Sequence, residues 1–112
     1  MFTVKEFIDI YRYDERTVIV YNLEDDEEYI YDDMEQLGDD FGEYGICAIE
    51  EDECITVTVT RNSYTAIYAQ AYESYSIQKQ IKDVLPIVMS AVNTEDISAD
   101  EALMIIEDLV CE

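Results

Sequence analysis

Between Glu24 and Glu43 the chain carries eleven carboxylates and no Lys or Arg. Glu24, Asp25, Asp26, Glu27 and Glu28 form an unbroken run, and Asp32, Asp33, Glu35, Asp39, Asp40 and Glu43 follow more widely spaced. A further group, Glu50, Glu51, Asp52 and Glu53, comes soon after. On a strand, alternate side chains stand about 6.6 to 6.8 Å apart on one face; on a helix, neighbours four apart are separated by about 5 to 6 Å. Both spacings suit carboxylates that meet an array of Arg and Lys, with Arg taken bidentately. Tyr29 and Tyr31 sit within the acidic stretch and offer an apolar body with a polar tip, the chemistry of an interface anchor. The candidate partner-binding set is therefore Glu24, Asp25, Asp26, Glu27, Glu28, Tyr29, Tyr31, Asp32, Asp33, Glu35, Asp39 and Asp40.

Other chemistries find less support. The chain has no His, which removes the commonest general base and the usual partner of a Ser or Cys nucleophile. Carboxylate pairs are too frequent here for any pair to signal catalysis, so no enzyme is expected. An EF-hand loop beginning at Asp32 would place Met34 and Gln36 at ligand positions, and one beginning at Asp33 would place Leu37 at the fifth; neither register works. Cys47 and Cys54 fall on predicted neighbouring strands, but two thiols without His make no zinc site, and buried free thiols are the simpler expectation. No Gly-rich phosphate loop is present. No metal and no cofactor are expected.

The acid dominates the whole chain. Twenty-eight Asp and Glu against six Lys and Arg give 112 residues a formal charge of −22. Solubility needs a charge of only about 2 to 8 in magnitude for a small domain. A domain of this length has a radius of gyration of about 13 Å, and a stretch of duplex DNA as long as such a domain is wide carries about 18 phosphates. The charge is uneven: residues 1 to 58 hold 19 acidic and 3 basic side chains, net −16, and residues 59 to 112 hold 9 and 3, net −6. Such a field repels nucleic acid and anionic membrane, and favours a cationic protein surface. Three cysteines without CxxC spacing, and charged residues throughout the first twenty positions, lead us to expect a reducing cytoplasm.

The elements that must position these residues are legible from periodicity. Val4, Phe7, Ile8 and Tyr11 predict a helix over 1–11, with Thr3 as N-cap and Glu6 closing a capping box. Residues 17–23, TVIVYNL, read as a central strand, and Glu28 to Asp32 as its hairpin partner across the acidic turn 24–27. Asp33 to Gly42 is helix or turn. Gly45 to Glu50 and Cys54 to Thr60 read as a second hairpin, with Ile55, Val57 and Val59 inward and Thr56, Thr58 and Thr60 toward water.

Tyr64, Tyr68, Tyr72 and Tyr75 share one helical face, whereas Ile77, Ile81, Val84 and Val88 share the opposite one. The reversal predicts two helices, broken at 74–76 with Ser76 capping the second, and Pro86 kinking that second helix. A last helix runs from Ala99 to Val110, with Ser98 and Glu101 as a capping box. The expected fold is one α+β domain over 1–112: a short N-terminal helix, a four-stranded antiparallel sheet, and C-terminal helices packed on one face. Residues 1–60 form its acidic helix-and-hairpin part and 61–112 its helical part. The tyrosine stripe is either core against the sheet or a face for a partner or a second copy.

In its size, its charge, the runs EDDEEYIYDD and EEDE, and its lack of catalytic apparatus, the chain resembles the small acidic inhibitors of phages and mobile elements, the DNA-mimicking anti-restriction and anti-CRISPR proteins. That resemblance implies a stoichiometric blocker in the cytoplasm of a host cell, whose acidic face occupies the basic groove of a nucleic-acid enzyme such as a CRISPR effector or restriction nuclease. An alternative of another class is a cytosolic adaptor that docks a partner through its Tyr-rich helices.

Overall fold

The computed structural model describes residues 1–111, apart from the side chain of Gln78. In chain order the elements are α1 (Val4–Ile10), β1 (Val18–Asn22), β2 (Glu27–Tyr31), α2 (Met34–Phe41), β3 (Gly45–Glu51), β4 (Ile55–Thr60), α3 (Ser63–Gln78), α4 (Ile81–Asn93) and α5 (Ala99–Val110). The strands form one sheet in the order β2-β1-β4-β3. Both predicted hairpins are present and antiparallel, β1 with β2 and β3 with β4. They join, however, through a parallel pair, with Val18 opposite Ile55 and Asn22 opposite Val59. The sheet is therefore mixed rather than antiparallel. Hairpins specify their own pairing through short turns, but which strands of two hairpins become neighbours is decided by tertiary packing.

Period-two patterning sets the faces, except that Thr60, expected toward water, is buried and donates its hydroxyl to Glu24. Val18 and Val20 of β1 and Ile55, Val57 and Val59 of β4 are all at most 1% exposed, and lie under Val4 and Phe7 of α1 and Leu37 and Phe41 of α2. Burying each such side chain contributes about 1.5 to 3 kcal/mol. Thr3 caps α1 by accepting from the Glu6 N–H at 3.5 Å, but the Glu6 carboxylate takes the Thr3 hydroxyl instead of closing the capping box on the backbone. At α5 the Ser98–Glu101 box is complete in both directions.

The helical part meets the sheet differently from the expected layer. α3, α4 and α5 enclose a second core of Ile67, Ala71, Val84, Val88, Ile105 and Leu109. They reach the sheet at the β3 edge, where Ala66 of α3 lies against Gly45. There the Gln70 side chain donates to the carbonyls of Ile46 and Phe2 and accepts from the Phe2 N–H. α3 is thus used on two sides, Ala66 and Gln70 toward β3 and Ile67, Ala71 and Tyr75 toward α4 and α5.

The helix break falls at Lys79 and Gln80, not at 74–76: Lys79 caps α3 in the left-handed region at φ 54, and Gln80 precedes α4 with no side-chain cap. Ser76 lies within α3 and donates to the Glu73 carbonyl. Ile77, assigned by periodicity to the next apolar face, is 74% exposed. α4 continues through Pro86 to Asn93. Among the described residues no helix is long and apolar enough to cross a membrane.

Candidate acidic interface

The two acidic turns lie at opposite ends of the sheet. Because β1 runs antiparallel to β2 and parallel to β4, the turn 23–26 shares its end with Thr60 and Gly45, and the turn 52–54 shares the other with Val18 and Tyr31. A five-residue strand separates them by about 17 Å. What links the ends is α2: it starts beside the C-terminus of β2 and stops before Gly45, so it travels the length of the sheet. The carboxylates of 24–43 therefore form a band along β2 and α2, while Glu50 to Glu53 belong to the far end.

Within that band many carboxylates already have structural partners. Glu24 accepts from the Thr60 hydroxyl at 3.0 Å and from the Arg61 N–H. Asp25 accepts from the Glu27 N–H and the Tyr29 hydroxyl. Asp32 takes the Thr17 hydroxyl at 2.8 Å. Asp33 is the N-cap of α2, accepting from the Glu35 N–H. Asp40 accepts from the Tyr31 hydroxyl at 2.7 Å and from Gln36. Asp26 holds the turn in the left-handed region, at φ 57. Glu27, Glu28, Glu35 and Asp39 are exposed, and among the described residues no hydrogen bond or ion pair engages their carboxylates. These four, together with the exposed carboxylate of Asp26, are what the band offers to a partner.

Tyr29 and Tyr31 are tied into the fold, although Tyr29 keeps 37% of its surface exposed. Both turn toward Phe41, with ring centroids 5.3 and 6.0 Å from it, and Phe41 also meets Tyr44 edge-on at 4.9 Å. This aromatic cluster fastens α2 to the edge strand and so fixes the band. The Tyr31 hydroxyl is held well above the usual phenol range, first by burial and then by its bond to Asp40.

The cations of the first half are all consumed locally. Lys5 pairs with Glu43 at 2.7 Å, Arg12 with Asp9 at 3.2 Å, and Arg16 with both Asp14 and Glu51. Arg16 also donates to the Asp52 carbonyl, tying the loop before β1 to the far turn; its guanidinium lowers the Asp14 carboxyl to about 2. Sequence patterning gave no hint of this clamp, since an i, i+2 pair in a loop has no periodic signal. Arg61 stacks over the Tyr44 ring at 5.0 Å. Lys5, Asp39, Asp40, Glu43, Tyr44 and Arg61 line a cleft of about 680 Å³ at the end of the band.

Cys47 and Cys54 do not approach each other: Cys47 sits at the bulge near the start of β3, and Cys54 closes the turn at the far end of the hairpin. Both are half-buried, and Cys111 is exposed. Burial, and secondarily the charge of Glu24, push the Cys47 thiol up to about 11. Because the thiolate is the reactive form, brief alkylation at pH 8 followed by mass spectrometry should label Cys111 well ahead of Cys47; comparable labelling of the two would contradict this geometry. Among the described residues no three Asp, Glu or Cys side chains are gathered as a metal site.

Of the tyrosine stripe, Tyr64, Tyr68 and Tyr75 pack against the second core, and Tyr72 is 46% exposed. Among the described residues, an apolar groove of about 340 Å³ lies between α4 and α5, lined by Met89, Val92, Leu103 and Ile106 with their neighbours. No protein-family model, no curated protein and no solved structure matches this chain.

Proposed function

We propose that this protein is a stoichiometric, non-enzymatic inhibitor that presents the charge of DNA to a basic nucleic-acid-binding groove, such as that of a CRISPR effector or a restriction nuclease. The observation that carries the reading is the band along β2 and α2: eleven carboxylates without an interposed cation, with Glu27, Glu28, Glu35 and Asp39 unengaged. Among the described residues Arg12 and Arg16 pair with acids outside the band and Lys5 pairs with Glu43, so no cation before residue 59 is bonded to those four. Carboxylates so placed take guanidinium groups as phosphates would, and the field of the whole first half steers a basic partner toward them. The adaptor reading is less favoured, because packing in the second core takes up three of the four tyrosines it would use.

The test is competition. When the protein is retained on its partner from a host lysate, the captured protein should be a basic nuclease, and duplex DNA should displace the inhibitor. Affinity should fall at least tenfold between about 50 and 200 mM salt, by analogy with the phosphate backbone. Retention only of proteins that bind no nucleic acid, with affinity flat in salt, would sink the reading.

A further inference from the structure

The sheet has two edges, and they differ. At β3 the outward N–H of Ile46 donates to the Phe2 carbonyl and its C=O accepts from Gln70. At the other edge β2 pairs with β1 alone among the described residues. Which of its backbone groups face outward follows from β1. Ile55 donates to the Thr17 carbonyl and Leu23 donates to the Val59 carbonyl, so the odd positions of β1 turn toward β4. The even positions Val18, Val20 and Asn22 then bond to their opposites on β2, which are Tyr31, Tyr29 and Glu27. Glu28 and Ile30, in between, turn their N–H and C=O away from the sheet. Their side chains share the open face with Tyr21 and Ile19, and Ile30 is 71% exposed.

The geometry points to strand addition at this edge: an extended, Lys- and Arg-bearing segment of a partner protein pairs with the backbone of Glu28 and Ile30 and lays an apolar side chain over Ile30. Unpaired strand edges are ready templates for another strand. The charge selects the occupant. Glu27 and Glu28 lie on the edge strand, Asp25 and Asp26 precede it, and Asp32 and Asp33 follow it. A second copy paired antiparallel about Tyr29 would set Asp25 and Asp26 of each copy against Asp33 and Asp32 of the other, and like charges directly opposite are destabilising. A segment whose cations alternate with apolar residues, the latter lying over Ile30, sets those cations opposite Asp25, Glu27 and Asp33. This inference rests on the reading that the partner is a basic protein, and adds that an extended segment at the rim of its groove makes the contact.

The experiment uses the native protein and, as probe, a blocked peptide of alternating lysine and valine, together with two versions N-methylated at one or the other alternate set of backbone nitrogens. N-methylation leaves every charge in place and removes only donors. Strand addition predicts that one methylated version binds at least tenfold more weakly than the parent while the other binds alike, and that the Glu28 and Ile30 amides gain protection from hydrogen exchange. As a second arm, Ile30→Pro removes an outward N–H that the ladder does not use, a place where an edge strand tolerates proline; it should also weaken the parent peptide at least tenfold. Equal binding of both methylated versions overturns strand addition; if replacing Glu27, Glu28, Glu35 and Asp39 by Lys then still abolishes binding, the acidic-surface reading survives it. Binding indifferent to that charge reversal ends both. A dimer of the native protein that Ile30→Pro dissolves would make the occupant a second copy, and overturns the inference as well.

Discussion

Replacing Glu27, Glu28, Glu35 and Asp39 together by Lys should lower affinity for a basic nucleic-acid-binding partner about a thousandfold, while the melting temperature stays level or rises. Each replacement removes an attraction and installs a repulsion, and charge reversals at an interface act on both association rate and residence. Stability should not suffer, because none of the four carboxylates caps a helix or holds a turn, and replacing acid by base relieves self-repulsion in a chain of net charge −22. The choice of residues decides whether the experiment can be read. Asp33 caps α2 and Asp25 and Asp32 tie the ends of the hairpin, so reversing those three would confound lost binding with a damaged fold. Calorimetric titration against the partner, beside thermal melts of both proteins, measures the two effects. Undiminished affinity in a folded variant would remove the band from the interface.

Gly45→Val should destabilise the fold by about 3 kcal/mol, near the upper part of the range for overpacking. A Cβ at Gly45 would lie 2.6 Å from the Ala66 Cβ and 2.8 Å from the Met1 Sδ. The methionine can swing aside. Ala66 cannot, because its Cβ is fixed to the backbone of α3, which Gln70 clamps to Phe2 and Ile46 one turn further on. The added methyls must then pry α3 from β3, and that seam is where the two cores adjoin. Urea melts of Gly45→Ala, Ala66→Gly and the double variant separate the causes: the double variant should be more stable than the sum of the single losses predicts, since removing the Ala66 methyl returns the space. If Gly45→Ala proves as stable as the parent, the close approach does not constrain the seam.

What the sequence reveals about this fold is mostly what is local. The alternation of Ile55, Val57 and Val59, the apolar run at Val18 to Val20, and the Ser98–Glu101 box each act within a few residues and are seen as expected. The parallel meeting of β1 with β4 leaves no such mark, because either hairpin alone has the same pattern whichever neighbour it later takes. The break at Lys79 is equally silent: a lysine in the left-handed region and a glutamine without a capping bond differ in no way from helix interior by type. The reversal of apolar faces did report a break, five residues early, because α3 is packed on two sides and has no single apolar stripe.

The same limit applies to the acidic set. Composition counts Asp33 and Glu35 as equals, yet one caps the start of a helix and the other faces water. Tyr29 and Tyr31 read as anchors from their neighbours in sequence, but strand alternation turns them toward Phe41 and leaves Glu28 and Ile30 on the open face. That alternation was present in EEYIY. What it could not say is which side α2 would cover.

The central parallel pair also governs how the molecule must assemble. Each hairpin closes a short loop and can form on a microsecond scale. Joining Val18 to Ile55 and Asn22 to Val59 requires an intervening segment of more than thirty residues, including β2, α2 and β3, to come into place. Loop closure of that length is opposed by chain entropy before any contact offsets it. Docking of the two preformed hairpins, with α1 and α2 sealing the face they share, is thus the expected slow step, and the free β2 edge exists from the moment the first hairpin forms.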